Sequence, residues 1–135
     1  MVAYSQTSLA KKLGLKENFK IKIVNQPDYY FKLFDDVPPG IEMLKNSKAK
    51  KDFIHYFITN EKAFAKDFKN LAAEIEPNGM IWVSWKKKTA KAPSAISENQ
   101  IRETGLSIGL VDIKVCAVDE TWSGLKFVIP VKDRK

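Results

Sequence analysis

A chain of 135 residues, 44% hydrophobic and 29% charged, is long enough to bury about two thirds of the surface its unfolded form exposes. Its single Cys, Cys116, and single His, His55, exclude a disulfide scaffold and the usual four-ligand structural zinc site, so no metal is expected. The balance of 23 Lys+Arg against 16 Asp+Glu gives a net charge of +7, but Arg102 and Arg134 are the only arginines, and the planar guanidinium is the group that base-edge recognition favours.

Ser5 or Thr7 is placed to cap a short helix through Ser8 to Leu13, with Gly14 at its left-handed stop; residues 1–18 read as an N-terminal arm. Met1 to Lys12 lack the apolar core of a signal peptide, and no apolar run nears the ~20 residues that cross a bilayer, so the expected compartment is the cytoplasm. Phe19, Ile21, Ile23 and Val24 make a first strand with Lys20 and Lys22 alternating outward. Asn25, Gln26, Pro27 and Asp28 turn the chain into a short helix carrying Tyr30, Phe31 and Phe34, which Asp36 to Gly40 ends. A second strand, Ile41 to Leu44, leads into a loop holding Lys45, Lys48, Lys50 and Lys51.

Phe53, Ile54, Tyr56, Phe57 and Ile58 form a nearly continuous apolar strand, the pattern of a segment buried on both faces of a parallel sheet. Asn60 is placed to cap a helix whose stripe is Phe64, Phe68, Leu71, Ala72 and Ile75, stopped by Pro77, Asn78 and Gly79. Met80 to Trp85 is another apolar strand, and Lys86 to Ala95 a polar loop with the second lysine cluster, Lys86, Lys87, Lys88 and Lys91. Ser97 and Gln100 have capping-box spacing for a helix to about Ile108, closed by Gly109. Leu110 to Val118 and Leu125 to Val131 are the last strands; the link Asp119 to Gly124 is too short for a parallel crossover, so they form an antiparallel hairpin. Leu125 to Val131 reads as a sheet edge, either open to pairing with a second copy or guarded against it by Pro130 and flanking lysines.

Strands that alternate with helices, joined by right-handed crossovers, predict a single three-layer, Rossmann-like α/β domain over residues 1–135. Its sheet is open and mostly parallel, covered by helices on both faces and finished by the hairpin. Such sheets bind ligands beyond the carboxyl ends of their strands. The candidate ligand residues are therefore Asn25, Asp28, Trp85, Lys86, Lys87, Asp119, Glu120 and Trp122. Lysine there would take a negative group, the acids an amine or hydroxyl, and tryptophan would supply a stacking face, which fits a small anion or zwitterion.

This order of elements resembles a reduced class I methyltransferase fold, in which S-adenosylmethionine lies across the first two strand ends, and the stretch Glu76 to Lys87 resembles a turn and strand of that fold. The run Gly109 to Lys126, with Tyr4, Ser5 and Leu9 to Gly14, resembles an uncharacterised bacterial family of short cytoplasmic proteins, a domain of unknown function with no assigned activity. In the methyltransferases a glycine-rich turn follows the first strand and an acid ends the second. Here residues 19–31 contain no glycine and Glu42 sits early in its strand, so no cofactor is expected and S-adenosylmethionine is disfavoured.

No GxxxxGK[ST] run is present, and Ser84, Ser94, Ser97 and Ser123 sit in no GxSxG elbow. His55 reads as a satisfied strand residue and Cys116 as a small buried hydrophobe, so no catalytic residue is assigned. Three readings result. The first is a non-catalytic methyltransferase-like module binding a small anionic ligand or a protein partner at its carboxyl rim. The second is a divergent S-adenosylmethionine-dependent methyltransferase. The third is nucleic-acid binding through Lys45 to Lys51 or Lys86 to Lys91, against which those clusters read as solvated faces.

Overall fold

The computed structural model describes residues 8–34, 37–45, 48–88, 90 and 94–134. Tyr4, Ser5, Thr7, Asp36 and Lys91, to which expectations were attached, lie outside them. Alternating and continuous apolar runs assemble into a six-stranded sheet of order β2-β1-β3-β4-β6-β5. β1 (Lys20–Val24) is parallel to β2 (Glu42–Met43) and to β3 (Lys51–Phe57), and β3 is parallel to β4 (Ile75–Lys86). β6 (Trp122–Val128) runs antiparallel between β4 and β5 (Val111–Ala117). The open sheet with its terminal hairpin is thus the architecture expected from the order of elements.

Hydrophobic packing divides the molecule into two layers of core. On one face α2 (Phe64–Ala72) and α3 (Glu98–Ser107) lay Phe64, Phe68, Leu71 and Ile101 onto Ile54, Tyr56, Ile81, Val83 and Phe127. α3 starts with the predicted capping box, in which Ser97 accepts the Gln100 N–H at 3.2 Å and Gln100 accepts the Ser97 N–H at 2.8 Å. Gly105 lets α3 approach closely, because a Cβ there would collide with the Phe127 ring. On the other face α1 (Leu9–Leu13) and a short 3-10 helix, Tyr30–Leu33, cover Ile21, Ile23, Phe53, Phe57, Trp82 and Trp122. α1 is capped by Ser8 and closed by Gly14 at φ 84°, and the Trp82 indole N–H fastens it by donating to Leu13 O at 2.7 Å. Among the described residues no helix is long and apolar enough to cross a membrane.

Four local expectations are corrected. Asn60 does cap, accepting the Lys62 and Ala63 N–H groups at 3.0 and 3.3 Å, but α2 ends at Ala72 and Ile75 opens β4. The reason is tertiary: Lys51 N–H donates to Glu74 O at 2.7 Å and Lys51 pairs with Ile75, after which the register jumps to Phe53 opposite Met80. Pro77, Asn78 and Gly79 form this irregularity inside the strand, with Gly79 so near Lys51 O that a Cβ would lie 2.9 Å from it. The second strand is also shorter than Ile41 to Leu44, and the first short helix is a 3-10 turn. Finally, β6 is enclosed and β5 is the outer strand; β6 buries Leu125 and Phe127 completely, whereas β5 exposes Ile113 and Val115. The register irregularity at Ile113 and the charge of Lys114 are the features that discourage pairing at that edge.

Lys51, His55 and Ser84 are polar residues sealed in this core. Lys51, fully buried, donates to Glu74 Oε1 at 2.7 Å, and Lys22 joins the same carboxylate at 3.2 Å. Burial by itself would raise the Glu74 carboxyl, but Lys51 and Lys22 outweigh it and hold it below its ordinary value. His55 is also fully buried in β3, with Nδ1 3.0 Å from the Tyr30 hydroxyl and Nε2 2.7 Å from Ser84 Oγ. A neutral imidazole accepts at one nitrogen and donates at the other, so both contacts are satisfied without charge. Burial pushes the His55 pKa down to about 3.

Removing the Glu74 carboxylate takes away the ion pair that the fully buried Lys51 ammonium makes at 2.7 Å. Glu74→Ala is therefore expected to cost about 2 kcal/mol in urea unfolding, below the ~3–5 of a wholly buried pair because Glu74 keeps partial exposure. Loss of less than a few tenths would show that the pair carries no weight. For His55, the unfolded ring binds a proton near pH 6.5 and the folded ring only near 3, so stability is full above 6.5 and falls as pH drops through that window. Between pH 7 and 5 the unfolding free energy should decline by about 2 kcal/mol, and His55→Gln should flatten that slope. An identical slope in the variant would remove His55 as its source.

Candidate functional site at the carboxyl rim

Because β1, β3 and β4 are parallel, Val24, Phe57 and Lys86 end at one side of the sheet, and antiparallel β6 starts there with Trp122. The sequence candidates accordingly share one rim, but not one surface. Asn25 and Asp28 are exposed on the turn after β1, and the Asn25 carboxamide donates to Phe57 O at 3.4 Å, tying that turn to the end of β3. Asn25 has φ 61°, the left-handed region that glycine usually supplies and that asparagine tolerates. Asp119 holds the hairpin turn together, its Oδ1 accepting the Thr121 and Trp122 N–H groups at 2.8 and 2.7 Å. Glu120 at the tip is exposed, and Lys87 N–H donates to Thr121 O at 2.9 Å, continuing the ladder.

The two tryptophans do not form a common wall. Trp85 packs with α2 and α3, whereas Trp122 packs on the opposite face against Phe57, ring centroids 5.0 Å apart. Alternation along β4 causes the split: Lys86, not Trp85, is directly opposite Trp122, and its ammonium lies 5.7 Å from the indole centroid. Trp85 instead lines a cavity of about 510 Å³ with Lys86, Lys88 and Ser94 to Asn99. A second cavity, about 300 Å³, lies beside the β1 turn and is lined by Lys22, Val24, Asn25, Asp67, Asn70, Leu71 and Glu74. In it Asp67 accepts the Tyr56 hydroxyl at 3.0 Å, and burial followed by this carboxylate pushes the Tyr56 phenol up.

Tyr29 is a rim residue that the sequence reading missed. Burial, then the Asp119 carboxylate beside it, pushes its phenol up, so the turn after β1 touches the hairpin turn across the ends of the central strands. The available signal was its position next to Asp28; nothing in the spacing of Tyr29 and Asp119 along the chain announces the contact. Asp67 and Asn70 of α2, which line the cavity beside the β1 turn, likewise go unmarked by any motif in the sequence. Cys116 is half-buried rather than core, on the outer strand, and burial raises its thiol despite Lys12 and Lys114 nearby.

No family model matches the sequence, and no curated protein matches it. Solved structures do share its fold. An S-adenosylmethionine-dependent methyltransferase from Aquifex aeolicus is 16% identical, with 90% of this chain and 88% of that one superposed at a TM-score of 0.57. A TehB-like methyltransferase from Corynebacterium glutamicum is 12% identical over 90% and 85% of the two chains, TM-score 0.58. Magnesium protoporphyrin IX methyltransferase from Synechocystis, solved with bound S-adenosylmethionine, is 10% identical over 90% and 74%, TM-score 0.57.

These neighbours overturn the expectation that the rim takes no cofactor, since the same sheet occurs in proteins solved with S-adenosylmethionine and S-adenosylhomocysteine. In the turn after β1, Asn25 adopts the left-handed backbone conformation that glycine commonly supplies, and Asn25 and Asp28 are exposed. The chain has the fold of the class I methyltransferases, a six-stranded Rossmann-like sheet with helices on both faces.

Proposed function

We propose that this chain is a divergent methyltransferase that binds S-adenosylmethionine at the carboxyl rim, with the turn after β1 as the cofactor seat. The observation that carries the reading is the left-handed Asn25 directly beyond the first parallel strand, which bends the backbone there without a glycine. The donor set fits an aminoacyl nucleoside. The exposed Asp28 carboxylate suits an amine or ribose hydroxyls, and Asn60 offers an amide beyond the end of β3. When bound, the cofactor supplies a methyl group activated by its sulfonium. The chain's own part is to hold the cofactor and to orient an acceptor, and Lys86 and Lys87 across the rim suit one carrying a negative group. Methyl transfer of this kind rests on positioning more than on a titrating base, which accords with His55 being sealed away from the rim.

A second reading, a non-catalytic module using the same rim, is favoured by the Lys86 and Trp122 contact and the Asp119 turn, which already occupy polar groups an acceptor would need. Calorimetric titration tests the cofactor seat common to the two. Saturable binding of S-adenosylmethionine and S-adenosylhomocysteine is expected, and a flat trace at millimolar ligand would remove the cofactor reading. Asn25→Gly should bind like the parent chain. Asn25→Val, forced into a left-handed conformation that β-branching opposes, should lose about 1–2 kcal/mol of stability and bind more weakly.

A further inference from the structure

Four lysines far apart in the chain meet on the face of the sheet that α1 covers. Lys114 and Lys126 are direct cross-strand partners in β5 and β6. The Lys114 ammonium reaches over to α1 and donates to Lys12 O at 3.0 Å. The Lys126 ammonium lies against the α1 stop, 3.4 Å from where a Cβ on Gly14 would stand. Lys16, two residues beyond that stop, completes the group: burial first, then Lys114 and Lys16, hold the Lys126 ammonium below the ordinary lysine value. The ion pairs of the described residues lie elsewhere, at Lys22, Lys51 and Arg102.

Like charges placed directly opposite on a sheet repel, and partial burial of one of them adds to the cost. An array held in this way gains from any polyanion that bridges it. We propose that Lys12, Lys16, Lys114 and Lys126 form a nucleic-acid backbone-binding patch. Its form favours a chain of phosphates over one small anion: the four lysines are spread over α1, the segment just after it, β5 and β6. Lys86 extends the same face toward the rim, since its partner Trp122 lies four residues before Lys126 on β6, about 13 Å along the strand. A strand of phosphates that meets several fixed cations releases counterions at each. The overall charge of +7 acts in the same direction. This inference does not depend on the cofactor reading.

The test is fluorescence anisotropy with the whole chain and a labelled 20-nucleotide single-stranded RNA, repeated with duplex DNA of the same length. With four phosphate contacts, affinity for the single strand should fall about 50-fold between 50 and 200 mM salt. For Lys114→Gln/Lys126→Gln, which leaves two contacts, that fall should shrink to about 7-fold. Its melting temperature should equal or exceed the parent's, because the substitutions relieve repulsion. Lys66→Gln/Lys69→Gln, on α2 across the sheet, should keep the parent's salt dependence. The proposal is overturned if neither oligonucleotide binds at 50 mM salt or if the β5 and β6 variant keeps the parent's salt dependence. Binding to phosphatidylserine vesicles with none to either oligonucleotide would overturn it equally, by making the patch a membrane contact.

Discussion

The burial of β3 on both of its faces is the constraint on which the remaining structure depends. Phe53, Ile54, Tyr56 and Phe57 are inaccessible to water, and His55 between them is as deeply enclosed. A strand in that position needs a parallel neighbour on each side and a covering layer above and below, which β1, β4, α2 and the α1 side provide. The one polar ring in it is tolerated because Tyr30 from the first crossover and Ser84 from β4 each bond one nitrogen. That network joins the turn after β1 to the two central strands, so the position of the candidate rim is coupled to the satisfaction of a group several ångströms beneath it.

At the rim itself, polar side chains divide between holding the backbone and remaining open. Asp119 is consumed by its own turn, the Asn25 amide bonds Phe57 O, and Lys86 leans on an indole. Asp28, Glu120, Thr59 and Asn60 are exposed. An open α/β sheet presents such a mixture because its strands end together while their loops diverge, leaving backbone and side-chain groups around a crevice. The departure from a glycine-rich turn is accommodated by the one other residue type that enters the left-handed region at modest cost.

Charge is distributed by the same logic. Of the lysine clusters visible along the chain, Lys45, Lys48, Lys87 and Lys88 lie on loops, whereas Lys51 is buried in β3 and Lys86 ends β4. Lys12, Lys114 and Lys126 instead sit on α1, β5 and β6, with Lys16 just beyond α1, and the antiparallel pairing of β5 with β6 fixes two of them opposite each other. Rigid placement of like charges is costly in a way that flexible placement is not, and this distinguishes the patch from the 21 lysines as a population.

Hydrophobic periodicity and local capping chemistry were enough to read the alternating α/β order, the terminal hairpin, the capping box of Ser97 and Gln100, the left-handed stops at Gly14 and Gly109, and the double burial of β3. These are short-range properties, decided by side chains within a turn or two of one another. Tertiary pairing decided the rest. The bond from Lys51 to Glu74 drew Ile75 out of a helical stripe into β4, and the insertion of β6 between β4 and β5 exchanged the edge strand. The twofold alternation of β4 put Trp85 and Trp122 on opposite faces, and the meeting of two distant turns brought Tyr29 to Asp119. Each depends on which strand lies beside which, a choice made by long-range burial that no window of the sequence contains.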